Sequence, residues 1–251
     1  MKKILFTCFL LFVIGGFSQS NDIVFQQANQ AYQKENYAEA LSLYQKLLVE
    51  NSSAPTVHYN LGNTFYKLNQ IAPSIYHYEM ALLLNPSHKD ARNNLFFAEK
   101  MRIDRFEEVP KSIFTKFNER FIYTISVNTW AWVSILFATL VVLFFFLYYF
   151  VKYNIKKRLY FLLSFLSLVS FIFVLSFAYK ADHHDQNNKP AIVFSKKVSV
   201  KSEPIVSANE NFALHEGTKV QILETLEGWS KIKISDGQIG WIGNEHVKEL
   251  K

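Results

Sequence analysis

The densest group of chemically reactive side chains is the run Asp182 to Asp185, Asp-His-His-Asp, whose carboxylates and imidazoles are types that bind zinc. Adjacent side chains seldom converge on one ion, and the run directly follows an apolar segment, so we expect a solvated linker rather than a metal site. Three other histidines, His58, His77 and His88, have no partner carboxylate in the sequence pattern and are expected on helix surfaces. No metal site is predicted.

Motifs that organise enzyme active sites are missing from the sequence. It has no phosphate-binding loop, dinucleotide-binding glycine run, nucleophile elbow or zinc-protease helix. The single cysteine, Cys8, lies in the opening apolar run, where it can support neither a disulfide framework nor a cysteine-rich metal site. We therefore predict a protein that is not an enzyme and that needs no cofactor.

The formal net charge of +6 is concentrated in two short segments. Lys2 and Lys3 contribute two charges, and residues 152–158 contribute the other four. Residues 19–129 have 11 basic and 11 acidic side chains, and residues 180–251 have 10 of each. A nucleic-acid-binding surface needs a concentrated basic face, which this balance does not favour, so nucleic acid is not a predicted partner.

Two uncharged runs, residues 129–151 and 159–179, contain 23 and 21 residues and are long enough to cross a bilayer as helices. Residues 1–18 begin with lysines, continue through an apolar run and end in small residues, the pattern of a secretory signal peptide. The loop between the spans, residues 152–158, has only positive charges and is therefore expected in the cytoplasm. The parts before and after the spans then both lie across the membrane.

This topology predicts the outcome of a reporter experiment. Reporters fused after Asn128 and after Lys251 should both be exported, and one fused at Asn154 should stay in the cytoplasm. A cytoplasmic signal from either of the first two fusions would contradict the two-pass arrangement.

Residues 21–54 and 55–88 align without a gap at a spacing of 34 residues. The matched pairs include Ala28 with Gly62, Tyr32 with Tyr66, Ala40 with Ser74, Tyr44 with Tyr78, Leu48 with Leu82 and Asn51 with Asn85. This pattern resembles the tetratricopeptide repeat (TPR), in which small residues lie where the two helices of a repeat touch. Residues 89–106 are predicted to form a third helix that closes the stack, giving a TPR domain over residues 21–106.

The resemblance implies a concave face built by the first helix of each repeat and by the closing helix. Besides Phe25, Gln26 and Phe97, the family's spacing gives this face a set of candidate peptide-binding residues: Asn29, Tyr32, Tyr59, Asn60, Asn63, Tyr66, Lys67, Asn93 and Asn94. Asn and Lys can hold a peptide backbone or a terminal carboxylate, although one well-placed lysine does not favour a tight carboxylate clamp. The alternative is a solvated face with no ligand.

If the face binds a partner, Asn63→Ala with Lys67→Ala should weaken binding and leave thermal stability nearly unchanged.

Residues 107–128 link the repeat domain to the first span. The apolar residues Ile113, Phe114, Phe117, Phe121 and Ile122 recur at helical spacing beside basic residues, which suits a helix lying on the bilayer surface. Packing of the same apolar residues against the repeat domain explains the pattern equally well.

The second span contains three serines, at positions 164, 167 and 170. They either form a stripe of small residues for helix packing or have no specific role in the span.

After a linker over residues 180–189, the pattern changes to period-two pairs that indicate a small all-β domain over residues 190–251. The pairs are Val198 with Val200, Val220 with Ile222, and Ile232 with Ile234. Together with Gly217 to Val220, Gly228-Trp229 and Gly240 to Ile242, they resemble the bacterial SH3-like barrel of exported proteins. Trp229 and Trp241 either line a groove of this barrel or pack within it.

The predicted fold class is thus a multidomain membrane protein with all-α TPR repeats, two transmembrane helices and a small all-β SH3-like barrel. This order of modules resembles the TPR protein of the Bacteroides aerotolerance operon, the BatE family. The resemblance implies a scaffold in the bacterial inner membrane, with both exported domains in the periplasm, that assembles with von Willebrand factor A-type membrane proteins and a MoxR-type ATPase. The alternative is a cell-envelope sensor or anchor whose barrel binds peptidoglycan or a wall peptide.

Overall fold

The computed structural model describes residues 22–50, 53–107, 109–110 and 112–251. The predicted signal peptide, residues 1–18, lies outside the described residues.

The chain forms two compact units. Of the described residues, those in 22–107 and Pro190–Lys251 form one unit, and those in 109–189 form the other. The repeat helices and the strand domain therefore belong to the same unit although the two apolar helices separate them in the sequence.

Antiparallel helix pairs form the first part of the chain, as the 34-residue period predicts. The helices are α1 (residues 22–33), α2 (Tyr37–Glu50), α3 (Pro55–Lys67), α4 (Ile71–Leu84) and α5 (Lys89–Lys100). The turns after α1 and α3 each contain a residue with a left-handed backbone, Glu35 (φ 60°) and Asn69 (φ 57°), which are 34 residues apart. The period thus extends to the turns.

The closing helix α5 ends at Lys100, six residues before the predicted boundary at residue 106. The residues that follow it contact the strand domain instead, Asp104 by hydrogen bonds and Phe106 by packing against its apolar core. These tertiary contacts replace the last helical turns.

Small residues let the two helices of each repeat approach closely. Ala28 and Ala40 are completely buried in the first repeat, and Gly62 and Ser74 occupy the equivalent positions in the second. The Ser74 hydroxyl donates a hydrogen bond to the Gly62 carbonyl (2.9 Å), so the α3 backbone lies directly on α4. A β-carbon at position 62 would lie 2.5 Å from Cδ1 of Tyr78, which leaves no space for a side chain.

Two of the three histidines expected on helix surfaces are instead buried between α3 and α4. His58 and His77 are 3% and 7% exposed, and their Nδ1 atoms are 3.0 Å apart. The His77 ring also stacks on Phe65, with ring centroids 5.4 Å apart. The prediction was wrong because each histidine satisfies the other's ring nitrogen, a partner that the spacing of carboxylates does not reveal.

The buried pair predicts a loss of stability in acid. Burial, with the neighbouring His58 and Lys248, lowers the pKa of His77 to about 3. The unfolded chain takes up this proton near pH 6.5, so the free energy of unfolding should fall by up to about 1.4 kcal/mol per pH unit below that pH. Between pH 7 and pH 5 we expect a loss of about 2 kcal/mol in denaturant titrations of the detergent-solubilised protein.

The control for this experiment is His77→Gln, which keeps a polar side chain but does not titrate. Its unfolding free energy should depend less steeply on pH than that of the wild type. Equal slopes for the two proteins between pH 7 and pH 5 would exclude His77 as the source of acid sensitivity.

The carboxy-terminal domain is a seven-stranded sheet, in agreement with the alternating pattern. Its strands are β1 (Lys189–Val193), β2 (Lys197–Lys201), β3 (Glu210–His215), β4 (Lys219–Leu226), β5 (Trp229–Lys233), β6 (Ile239–Gly243) and β7 (Val247–Glu249). The strand order is β3-β2-β6-β5-β4-β1-β7. The period-two pairs point into one core, where Val200, Val220 and Ile232 are at most 2% exposed.

Strand β1 is buried on both of its faces. Ala191 and Val193 belong to the barrel core, whereas Ile192, which points the opposite way, belongs to a cluster with residues of α4 and α5. Leu250, just after β7, joins the same cluster. The repeat domain and the barrel therefore share a hydrophobic core through one strand.

A turn of the barrel also fits closely against the repeats. Gly217 has φ +84°, and a β-carbon there would lie 2.9 Å from Cδ1 of Ile75 in α4. Both the backbone conformation and the lack of space favour glycine at this position. Lys248 of β7 covers the Tyr76 ring of α4, with Nζ 4.3 Å from the ring centroid.

Asp104 is the main polar link between the repeats and the barrel. Its carboxylate accepts hydrogen bonds from the His215 backbone N–H (2.6 Å), the His215 ring Nδ1 (2.7 Å) and the Thr218 hydroxyl (2.7 Å). Burial would raise the pKa of Asp104, but the hydrogen bonds from His215 and Thr218 outweigh it and hold the pKa below its usual value. Asp104 therefore stays ionised and fully hydrogen-bonded at neutral pH.

The second unit contains two long apolar helices. A short helix, α6 (Ile113–Phe117), continues into a π-helical turn (Asn118–Ile122) and is followed by α7 (Val127–Phe150) and α8 (Asn154–Asn187). Both α7 and α8 are long and apolar enough to cross a membrane, with mean hydropathies of 2.4 and 2.5 over an 18-residue apolar stretch of each helix. Only 6% and 11% of these apolar stretches, in α7 and α8 respectively, are buried within the chain.

Helix α8 is longer than the predicted span over residues 159–179. It begins inside the predicted loop of residues 152–158 and continues through most of the predicted linker of residues 180–189. Lysine and arginine are good helix formers, and no glycine or proline interrupts the chain before Pro190, so the helix extends beyond its apolar part.

Serines lie where α7 and α8 touch. Ser164 and Ser167 are buried, Ser170 is half-buried, and the Ser164 hydroxyl donates to the Val141 carbonyl at 3.2 Å. The packing interpretation of the serine stripe therefore fits Ser164 and Ser167.

Candidate binding groove

A repeated hydrogen bond joins each first helix of a repeat to its second helix. The Tyr44 hydroxyl donates to Oδ1 of Asn29 (2.6 Å), and one period later the Tyr78 hydroxyl donates to Oδ1 of Asn63 (2.7 Å). These two pairs are 34 residues apart in the sequence, so they form equivalent rungs along the repeat stack.

Each rung receives a second hydrogen bond from the next helix of the stack. The side-chain amide of Asn60 donates to Oδ1 of Asn29 (3.3 Å), and that of Asn94 donates to Oδ1 of Asn63 (2.8 Å). The Asn29 and Asn63 oxygens accept both bonds, so their own amide NH₂ groups take part in neither bond. These NH₂ groups therefore remain available as hydrogen-bond donors.

The tyrosines of this network are held as neutral donors. Burial, with a contribution from Tyr32, raises the pKa of Tyr44 to about 12. Burial also raises the pKa values of Tyr78 and Tyr32 above the usual value. The Tyr44 and Tyr78 hydroxyls remain protonated at any physiological pH and hold Asn29 and Asn63 in one orientation.

Two adjoining clefts run along this face. The larger, about 190 Å³, is lined by Tyr32, Asn63, Tyr66, Lys67, Tyr78, Asn94 and Phe97. The smaller, about 140 Å³, is lined by Asn29, Tyr32, Gln33, Tyr44, Asn60 and Asn63. Since Tyr32 and Asn63 line both clefts, we describe them together as the repeat groove.

Most of the sequence-predicted candidates come together in the repeat groove, namely Asn29, Tyr32, Asn60, Asn63, Tyr66, Lys67 and Asn94. Two others do not line it. Tyr59 packs between α3 and α5, with its ring centroid 4.7 Å from that of His88, and Asn93 is exposed on α5 beside the groove.

Gln33, Tyr44 and Tyr78 line the groove although the sequence analysis did not select them. Tyr44 and Tyr78 belong to the second helices of the repeats, so the family's spacing did not place them on the concave face. Their shared 34-residue period with Asn29 and Asn63 was the available signal.

The groove combines polar donors with exposed aromatic surface. Tyr66 is 37% exposed and Phe97 is 51% exposed, beside the amine of Lys67. Amide donors suit the carbonyl oxygens of an extended peptide, aromatic rings suit its apolar side chains, and the lysine suits a carboxylate. The arrangement has the chemistry of a peptide-binding surface.

The two tryptophans predicted for the barrel lie on one face of the β5–β6 pair. Trp229 pairs with Gly243 and Lys231 pairs with Trp241, so the two rings are diagonal neighbours. Trp241 is 9% exposed, and Nζ of Lys231 is 5.7 Å from its ring centroid. This burial favours a packing role for Trp241, while Trp229 remains half-buried.

Comparison with known families identifies the same modules. TPR repeat profiles match residues 28–69 and 55–88, the second described as a tetratricopeptide repeat, and a bacterial SH3 domain profile matches residues 197–248. No curated protein matches the chain.

Two solved structures show similarity to parts of the chain. The Sgt2 TPR domain from Aspergillus fumigatus aligns with 21% identity and a TM-score of 0.31, covering 32% of this chain and 54% of that structure. The carboxy-terminal SH3 domain of myosin IB from Entamoeba histolytica aligns with 28% identity and a TM-score of 0.18, covering 26% of this chain and 97% of that domain. The chain thus spans about half the length of the Sgt2 structure.

The chain contains TPR repeats and a bacterial SH3-like domain. Both are typically non-catalytic modules that bind other proteins. Their combination indicates a role in protein–protein interaction or as a scaffold.

Proposed function

We propose that the protein is a non-enzymatic membrane scaffold whose repeat groove binds an extended segment of a partner protein. The observation that supports this most directly is the pair of Asn–Tyr rungs. They fix two asparagines that line one continuous groove and leave their amide NH₂ groups available as donors. A surface of pre-oriented donors suits a peptide backbone because little side-chain freedom is lost on binding.

Contacts within the first unit support the two-pass arrangement of this proposal. Residues 22–107 and 190–251 share a hydrophobic core and the Asp104 hydrogen bonds. Both parts must therefore lie on the same side of a membrane that α7 and α8 cross. Two spans return the chain to its starting side, as this requires. The low burial of α7 and α8 within the chain favours lipid contact over a role as core helices of a soluble protein.

The order of modules supports a more specific version of the proposal. On the resemblance to the BatE family, the scaffold lies in a bacterial inner membrane with the groove and barrel in the periplasm. Its partners are then von Willebrand factor A-type membrane proteins and a MoxR-type ATPase system, and its role is in aerotolerance. In the alternative, a cell-envelope sensor, the barrel binds peptidoglycan or wall peptides through the face that contains Trp229.

Removal of two groove side chains tests the proposal. Tyr66→Ala with Lys67→Ala should reduce partner binding by roughly tenfold or more, because an aromatic and a charged contact are each worth about 1–2 kcal/mol. The measurement is co-purification of the partner from detergent-solubilised membranes, with thermal melting followed by circular dichroism to verify the fold. The matched control is Lys46→Ala, an exposed lysine of α2 that lines neither cleft.

The structure changes one expectation from the sequence. Asn63→Ala removes the oxygen that accepts from Tyr78 and Asn94, so it should cost about 1–3 kcal/mol of stability rather than almost nothing. Tyr66 and Lys67 are more exposed and lie outside this network, so their substitution tests partner binding with little change in stability. Unchanged partner binding in the Tyr66 and Lys67 double variant would exclude the repeat groove as the binding surface.

A further inference from the structure

The residues just before α7 form a short amphipathic segment. Helix α6 and the π-helical turn that follows it run without interruption from Ile113 to Ile122, and we call these ten residues the pre-span segment. Its first turn is capped by Ser112, whose hydroxyl accepts a hydrogen bond from the Thr115 backbone N–H at 3.1 Å.

Large apolar side chains of the pre-span segment are open to the surroundings. Ile113 and Phe114 are 84% and 81% exposed, and Phe117 and Phe121 are 48% and 54% exposed. The Phe117 and Phe121 ring centroids are 5.0 Å apart, so these two rings lie on the same face of the segment. Four large apolar side chains clustered in ten residues are characteristic of surfaces that contact lipid or another protein.

Basic residues flank this apolar face. Lys116 and Arg120 are one helical turn apart and both are exposed. On a helix lying in a bilayer surface, long basic side chains beside an apolar stripe reach the phosphate groups while the stripe enters the acyl region. The pre-span segment has these two basic residues and one acidic residue, Glu119, so its net positive charge matches an anionic lipid surface.

The end of the pre-span segment is fixed to the apolar helices. Ile122 is 1% exposed, and its carbonyl accepts a hydrogen bond from the indole nitrogen of Trp130 in α7 at 3.0 Å. The next residue, Tyr123, stacks on His184 of α8, with ring centroids 3.8 Å apart and planes 2° apart. Residues at the start of α7 thus hold the segment at the level where that helix begins.

We propose that the pre-span segment lies in the headgroup layer of an anionic membrane, with Ile113, Phe114, Phe117 and Phe121 in the upper acyl region. This inference rests on the proposed membrane-spanning role of α7. The bilayer is the occupant that both the flanking cations and the direct connection to α7 favour. The segment gives the protein a surface contact with lipid in addition to its two spans.

Depth-dependent fluorescence quenching of the full chain tests the inference. Single cysteines carrying an environment-sensitive dye are placed at Phe114, on the apolar face, and at its neighbour Thr115, on the polar side, in a Cys8→Ser background. A third label at Leu143 of α7, which is 50% exposed, reports on the span itself. The proteins are reconstituted in vesicles of phosphatidylcholine and phosphatidylglycerol that contain nitroxide-labelled lipid.

We expect lipid nitroxide to quench the Phe114 and Leu143 labels several-fold more than the Thr115 label. Strong quenching at Leu143 with equal, weak quenching at Phe114 and Thr115 would overturn the inference and leave the span intact. Weak quenching at Leu143 as well would show that the spanning role itself is wrong. A Phe114 label that is shielded from aqueous iodide but not quenched by lipid would mean that protein covers the face, and this also overturns the inference.

Charge reversal tests the headgroup contact separately. Lys116→Glu with Arg120→Glu should lower quenching at Phe114 by about twofold or more in vesicles that contain phosphatidylglycerol, with a smaller change in pure phosphatidylcholine. An equal change in the two kinds of vesicle would contradict the role of anionic lipid.

Discussion

Gly62→Leu should unfold the second repeat. A β-carbon at this position would lie 2.5 Å from Cδ1 and 2.6 Å from Cε1 of Tyr78, and leucine adds three further carbons. Tyr78 cannot move aside easily because it is 1% exposed and its hydroxyl is bonded to Asn63. Overpacking of such a site costs about 1–3 kcal/mol or more, and we expect the upper end because the Gly62 carbonyl is hydrogen-bonded to the buried Ser74 side chain of α4.

The measurement is the helical circular dichroism signal and its thermal transition. Ala38→Leu, which adds similar bulk at an exposed position of α2, is the matched control and should melt like the wild type. A cooperative transition of Gly62→Leu within a few degrees of the control would show that the two helices are not packed as described.

Ile192→Asp should separate the barrel from the repeats. Ile192 is completely buried in a cluster with residues of α4, α5 and Leu250, whereas its neighbours Ala191 and Val193 point into the barrel core. A carboxylate there has no partner, and an unpaired buried charge costs several kcal/mol. We expect faster hydrogen exchange throughout α4 and a large loss of stability of the repeat domain.

Ile239→Asp provides the comparison, because Ile239 is on a barrel strand but is 45% exposed. It should leave hydrogen exchange in α4 unchanged. If the two substitutions had equal effects on α4, the shared core would not stabilise the repeats.

The shared core also means that removal of residues 190–251 cannot isolate the function of the groove, since this truncation also removes Ile192 and Leu250 from the core of the repeat domain.

The module types could be predicted from the sequence because they depend on local periodicity. The 34-residue period and the alternating pairs each report which side chains of one element share a face. The docking of the barrel could not be predicted in the same way. Its sequence signal was the run Pro190 to Phe194, four consecutive apolar residues after proline, which is typical of a strand buried on both faces. The partner of such a strand is set by tertiary structure.

The groove shows the same division between local and tertiary information. Repeat spacing placed Asn29, Asn63 and Lys67 on the concave side, but not the tyrosines that orient the asparagines. His58 and His77 were predicted at the surface because a buried pair of imidazoles leaves no pattern in the sequence. Residues whose partners lie on another helix were therefore the ones that sequence reasoning misplaced or missed.

Site-specific photocrosslinking in intact cells tests the repeat groove most directly. A photoreactive phenylalanine analogue is placed at Phe97, which lines the groove, or at its neighbour Phe96, which is equally exposed but lines neither cleft (51% and 52%). We predict a crosslink to a partner protein from position 97 that Tyr66→Ala with Lys67→Ala abolishes, and little crosslinking from position 96. Equal crosslinking from both positions would contradict binding in the groove. A partner crosslink obtained only when the analogue replaces Trp229 of the barrel would contradict it as well.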